Sequence, residues 1–456
     1  MARCLATWSL LAVASTVTVA QTTISDDRTT ATGTTISVSE VATPSGAYQS
    51  YSSQITLDTT DLGSITTGDG TSSTFTDNAT QSTGQSTVKT SATDTVTFLT
   101  GAAGTSTTRI GNFSTSAATS AAPTVTNTQP CNNYPEFCAR KYSNITEISC
   151  HNSPFVQTNN LAANQQYDVT LQLDDGVRFL QAQIQWPTNA TSGDAPHFCH
   201  TSCDILDAGP ITDWLTSVKD WVAAHPYDVV TILLGNGNYS IPSMYVPFIE
   251  QTGILRYIYT PPVVPMTLGD WPTLTEMILG GKRVVMFMDY MANQTEYPWL
   301  QDEFGSMWET PFDPTNQTFP CDVARPPNLS HNDTMNRMSL INHNLNLPLN
   351  ILGASMLVPA RTELNVTNNV TGYGSLGLAA DTCVGEWAKA PNFLNVDYYN
   401  DGGFPGSVFE VAAKMNNVTY NRKCCGVSTS GAARHVLGGS GVAYAMGILA
   451  LSWALL

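Results

Sequence analysis

Beyond residue 130 the chain alternates between two apolar patterns. Val177 to Ile184, "VRFLQAQI", is an apolar run interrupted at alternate positions by Gln181 and Gln183, and it predicts a strand. Ile211, Trp214, Leu215, Val218, Trp221 and Val222 then recur at helical spacing in "ITDWLTSVKDWVAAHP". Pro210 stands at the first turn of that helix and Pro226 lies beyond its end. Val229 to Leu234, "VVTILL", has the unbroken apolar character of a fully buried strand. A short helix in "TLTEMILGG" is stopped by Gly280 and Gly281. Arg283 to Asp289 and "NFLNVDYYN" (392–400) predict two later strands, and "EISC" is a β-friendly lead-in to His151. Strand–helix–strand alternation predicts an α/β domain with parallel strands. Residues 131–426 have the length of a (β/α) barrel of the TIM type.

The flanks carry no such pattern. Residues 21–130 are dense in Ser and Thr and poor in aromatic residues, so they bury too little surface to offset chain entropy. They predict a disordered, O-glycosylated stalk. Residues 1–20 have a basic start at Arg3, an apolar run and a small-residue end at Thr18-Val19-Ala20, the signature of an export leader. Residues 427–456 have small residues at Ser430, Gly431 and Ala432, then a polar spacer and a terminal apolar run, "VAYAMGILALSWALL". That order predicts a glycosylphosphatidylinositol (GPI) anchor signal, removed when the anchor is attached.

Charge and cysteine content narrow the partners. Lys and Arg number 19 against 36 Asp and Glu, a formal charge of −17. Nucleic acid is excluded as a partner, because its binding relies on basic side chains. There is also no general attraction to anionic membrane surfaces. Of the ten cysteines, Cys4 leaves with the leader, and an oxidising compartment pairs most of the other nine. Cys131 with Cys138 and Cys199 with Cys203 are close in sequence, and Cys150 is a candidate for the odd thiol. No CxxC pair suggests a metal. Sequons at Asn144, Asn189, Asn293, Asn316, Asn365 and Asn417 fit a glycosylated surface.

The candidate chemistry gathers at expected strand ends, where parallel α/β folds keep their working residues. These residues are His151, Asn152, Gln181, Gln183, His200, Asn236, Asp289 and Asp397. Two histidines in one such set suit acid–base work near neutral pH. The run "EISCHNSPFV", followed by "QLDDGVRFLQAQ" and "FCHTSC", resembles the X-domain of phosphatidylinositol-specific phospholipases C, most closely its secreted, GPI-anchored fungal members. The resemblance implies a distorted TIM barrel and a phospholipid or other inositol-containing substrate. It also implies that His151 is the general base on the inositol 2-hydroxyl, and His200 the general acid on the diacylglycerol leaving group. Asn152 would hold the attacking group or a metal, with Gln181, Gln183, Asn236, Asp289 and Asp397 as substrate contacts.

The departures from the family have a physical cost. Metal-independent relatives carry an acid and an arginine at the two alternate positions after "GVRFL", and calcium-dependent ones carry two acids. Here Gln181 and Gln183 are both neutral. An amide donates a hydrogen bond to a phosphoryl oxygen but does not cancel its charge, and cationic stabilisation is worth ~10³–10⁵ in phosphoryl transfer. A calcium site of ordinary carboxylates is not expected, and no other cofactor is called for. The rival expectation is a catalytically silent barrel acting as a wall-associated or ligand-binding surface protein. A glycosidase is disfavoured, since no pair of placed carboxylates stands out.

Overall fold

The computed structural model describes residues 48–57 and 128–426, apart from 157–158, 352–353 and 404, and two short pieces at 17–19 and 34–36. The expected leader (1–20) and anchor signal (427–456) lie, Val17–Val19 aside, outside the described residues. No helix among the described residues is long and apolar enough to cross a membrane.

Eight parallel strands form the barrel: β1 (Glu147–Cys150), β2 (Phe179–Gln185), β3 (Val230–Asn236), β4 (Val284–Met288), β5 (Leu300–Asp302), β6 (Met307–Glu309), β7 (Met338–Asn342) and β8 (Phe393–Val396). β1 to β5 pair in chain order, as do β6 to β8, and β8 returns to pair with β1. Only the β5–β6 junction has no ladder among the described residues. Its connection is the single turn Glu303–Ser306. A parallel crossover needs a dozen or more residues, so four cannot bring the chain back into register. The barrel is therefore distorted, as the sequence resemblance implies.

Helices α1 (Val169–Asp175), α2 (Ile211–Ala224), α3 (Leu274–Leu279), α4 (Leu376–Trp387) and α5 (Val408–Met415) accompany the strands. In α2 the apolar stripe Ile211, Leu215, Val218, Trp221 and Val222 is buried. Thr273 and Glu276 form a capping box that starts α3, and Gly280 and Gly281 end it.

Alternation along the strands sorts the core into two. Leu180, Ile232, Met286, Ile341 and Leu394 face outward to the helices. Phe179, Leu233, Phe287, Leu340 and Phe393 face inward. The inward set makes an aromatic floor: Phe179 packs on Phe393 with ring centres 4.5 Å apart, and Tyr142 on Trp271 at 4.7 Å. Above it lies a polar layer. Ser149 Oγ donates to Asn395 (2.7 Å), Asn395 to Asn342 (3.0 Å), and Asn342 to Glu309 (3.1 Å). Apolar floor and polar upper wall direct chemistry to the C-terminal mouth.

Cys131 is bonded to Cys138, Cys199 to Cys203 and Cys321 to Cys383. Cys424 and Cys425 lie with their sulfurs in contact, and Cys150 is the free, buried thiol.

One packed element falls inside the stretch expected to be stalk. Tyr48–Leu57 lies against the domain, with Ile55 and Thr56 paired antiparallel to Val264 and Val263. Its apolar residues are too few and too far from the barrel in sequence to show a period.

Candidate active site at the barrel mouth

β1 ends at Cys150 and presents His151 at the mouth, and β8 ends at Val396 and presents Asp397 beside it. The two strands pair in register, Val396 opposite Cys150, so the next residues of each meet. His151 Nδ1 lies 2.8 Å from Asp397 Oδ1. Asn164 also donates to that carboxylate oxygen, at 2.9 Å. Gln165 donates to the carbonyls of His151 and Val396, at 2.7 and 3.0 Å, which ties the two strand ends together. With Nδ1 donating to a carboxylate, Nε2 is the ring nitrogen left to act as a base. Asn152 Nδ2 lies 3.1 Å from it. The Oδ1 of Asn152 is buried and has no hydrogen-bond partner among the described residues. Asn152 holds a left-handed backbone, φ 51°, which turns the chain sharply after the histidine.

His200 arrives on a hairpin, His197–His200 with Leu206–Pro210, which adds to the end of β2. The Cys199–Cys203 bond pins its turn, and Phe198 anchors it edge-on against Trp214. The His200 ring packs edge-on to Phe155, 5.3 Å between centres, and its Nδ1 is 3.1 Å from Thr201 Oγ1. Burial, and then the charge of nearby His151, push its imidazole down to about 4. The structure thus brings the two histidines into one site.

The other sequence candidates separate. Gln181 turns its Oε1 to the backbone N–H of Asn152 (3.3 Å), so it braces the loop after His151. Gln183 faces the mouth and is exposed. Asp397 serves His151. Asn236 does not reach the lumen: its Nδ2 donates to the carbonyls of Ser240 and Tyr290, and its Oδ1 accepts from Tyr245 and Ser240. Being one residue out of phase with Leu233 and Gly235, it faces outward and pins its loop. Asp289 accepts from the N–H groups of Asn236 and Tyr290, both at 2.7 Å, and burial raises its carboxyl to about 6.

Three residues not singled out in the sequence complete the far wall. Glu309 ends β6, Glu303 opens the turn after β5, and Arg325 reaches in from a later loop. Arg325 Nε donates to Glu309 at 2.9 Å, and its guanidinium also reaches the Tyr290 hydroxyl at 3.2 Å. Burial and then Glu309 push the Glu303 carboxyl well above the usual carboxylate range. The signal was present for Glu309, an acid closing the short apolar run "MW" in "WETPFD". Arg325 sits in a loop with no pattern.

A calcium ion finds no fitting donors here. Gln181 and Gln183 are neutral, and no group of three or more His, Cys, Asp or Glu among the described residues is arranged to hold a metal ion.

The mouth of this parallel α/β barrel thus holds a histidine bonded to a carboxylate, with a second histidine nearby. The family described as PI-PLC X 1 matches residues 137–416, and the chain belongs to it. An uncharacterized secreted protein of Arthroderma benhamiae is 52% identical over 332 residues, 73% of this chain and 74% of its own. The PI-PLC X domain-containing protein 1 of the same organism is 39% identical over 274 residues, 60% of this chain and 86% of its own. Among solved structures, the phosphatidylinositol-specific phospholipase C of Listeria monocytogenes aligns with 61% of this chain and 95% of its own, at 12% identity and a TM-score of 0.38. That likeness is too loose to match residues.

Proposed function

We propose that this chain is a secreted phosphodiesterase of the phospholipase C type, held at the cell surface by a GPI anchor. Its substrate is the phosphodiester of an inositol-containing phospholipid or glycolipid. The His151–Asp397 hydrogen bond of 2.8 Å, with His200 in the same mouth, is the observation that carries the reading. Membership of the PI-PLC X family and the name of the secreted relative support it.

In the proposed step, His151 Nε2 takes the proton of the inositol 2-hydroxyl. That oxygen forms a bond to phosphorus while the bond from phosphorus to the glycerol oxygen breaks. His200 gives its proton to the departing oxygen, leaving a cyclic inositol phosphate and diacylglycerol. Asn152, whose Nδ2 lies 3.1 Å from His151 Nε2, borders the nitrogen that takes this proton. Arg325, part-buried at the far wall, offers donors for the other ring hydroxyls. Apolar side chains exposed on loops after strand ends, Leu161, Ile241, Met244 and Phe312, suit a lipid-bearing substrate.

The test is release of inositol phosphate by the purified full chain. His151→Ala should abolish it, and equal turnover by wild type and variant would sink the proposal.

One set of observations favours the silent barrel instead. Arg325 is already paired with Glu309, Gln181 braces Asn152, and His200 is neutral at physiological pH. If Gln181→Asp with Gln183→Arg creates turnover that the natural protein lacks, the natural chain is not an enzyme on that substrate.

A further inference from the structure

The β5–β6 junction has no ladder, and a piece of chain from far upstream lies along it. At the mouth, the Tyr48 ring packs edge-on against Tyr290 and Phe304, with centres 5.5 and 5.0 Å away. Its hydroxyl is 3.5 Å from that of Tyr290, and Gln49 Nε2 donates to the Ala292 carbonyl at 3.4 Å. Tyr51 is hydrogen bonded to Asp302, the buried last residue of β5. Gly305, in the turn that replaces a crossover, faces the Tyr51 ring: a Cβ there would lie 3.2 Å from its Cε2. Toward the base, Gln54 Nε2 donates to Asp270 Oδ2 (2.7 Å) and the Pro265 carbonyl (3.1 Å). Ile55 and Thr56 pair with Val264 and Val263, and Leu57 N donates to the Pro262 carbonyl at 2.9 Å.

We infer that Tyr48–Leu57 is an integral part of the barrel wall, a strap that covers the β5–β6 junction from mouth to base and holds the Tyr290–Arg325 side of the mouth. Ten extended residues reach about 33 Å, and a seven-residue barrel strand about 23 Å, so the length suffices. Each end has a specific partner set, and the Tyr51 hydroxyl joins the Phe304 and Gly305 backbone N–H groups as a donor to the buried Asp302 carboxylate. At the mouth end the strap touches Tyr290, whose hydroxyl receives Arg325, which in turn holds Glu309. Tyr48 is thus a positioning residue for the far wall, two contacts removed from it.

The described residues on either side of the Ser/Thr-rich stretch are both held at the base of the barrel, opposite the mouth: Leu57 N donates to the Pro262 carbonyl, and Val229 N, just before β3, donates to Asn132 Oδ1.

Hydrogen–deuterium exchange on the full chain tests this without reference to activity. The Ile55–Leu57 amides should exchange more slowly, by about tenfold or more, than those of the Ser/Thr-rich residues that follow. In a Tyr48→Ala/Tyr51→Ala chain that protection should be lost, and exchange at residues 300–309 should accelerate. Exchange at 48–57 as fast as in an unstructured peptide would overturn the inference, whether or not the double variant is secreted. So would a secreted double variant whose 300–309 exchange is unchanged.

Discussion

At His151 the useful chemistry depends on which ring nitrogen is free, and Asp397 decides it by holding Nδ1 at 2.8 Å. Asp397→Asn keeps the shape but removes the charge that stabilises an imidazolium. Turnover should fall by about two to four orders of magnitude with little change in KM. A loss confined to KM would instead make Asp397 a substrate contact. His200 makes a second, pH-dependent prediction. Its imidazole is pushed down to about 4, and the proposed step needs it protonated. The protonated fraction of His200 falls as pH rises, while His151 must stay neutral to take a proton. So kcat/KM should drop on the alkaline side, by about tenfold per pH unit, and level off on the acid side instead of rising further. A kcat/KM that holds constant up to about pH 9 would place the leaving-group proton elsewhere. Both histidines were legible in the sequence, since His-Asn-Ser, "GVRFL" and Cys-His occur in one order. The bond between His151 and Asp397 was not, because 246 positions separate them and only the closing β8–β1 pairing brings them together. Asn236 misled because strand parity near a strand's end is ambiguous, and its amide pins a loop.

Among the elements, the long apolar strands were read correctly because each is buried on both faces. β5 and β6 have three residues each, too few to show a period, and β7 is the short run "MSLIN". The inward floor should be the least tolerant part of the barrel. Phe393 is 1% exposed and packs on both Phe179 and Tyr142. Phe393→Ala should cost about 3–5 kcal/mol by denaturant unfolding. A cost under about 1 kcal/mol would mean that the floor repacks. At the open junction, Tyr51→Phe removes a donor from buried Asp302 and should cost about 1–3 kcal/mol. Burial raises the Asp302 carboxyl to about 7, above its unfolded value, so the folded state resists its ionisation. That burden grows as pH rises from the unfolded value of about 4 toward 7 and then levels off, whereas the variant, lacking a donor that favours the carboxylate, should go on losing stability above about pH 7. An equal pH dependence in both proteins would separate Tyr51 from Asp302.

For the whole molecule, the alternation of apolar runs was enough to read a parallel α/β domain, while the barrel followed from its length and the family resemblance. The balance of charge in the mouth was not legible, because Glu303, Glu309 and Arg325 come from separate segments and meet only in the fold. That balance is the main tension in the account. The site has a histidine oriented by a carboxylate and a second histidine, yet its cation is already paired and the two alternate positions on β2 are neutral amides. Whether such a mouth turns over a phosphodiester is the central question. The most direct measurement is headgroup release by the full secreted chain from phosphatidylinositol vesicles, made alongside His151→Ala and His200→Ala, with and without calcium. The account predicts cyclic inositol phosphate from wild type, none above background from His151→Ala, and no dependence on calcium. Product formed equally by wild type and His151→Ala would contradict it.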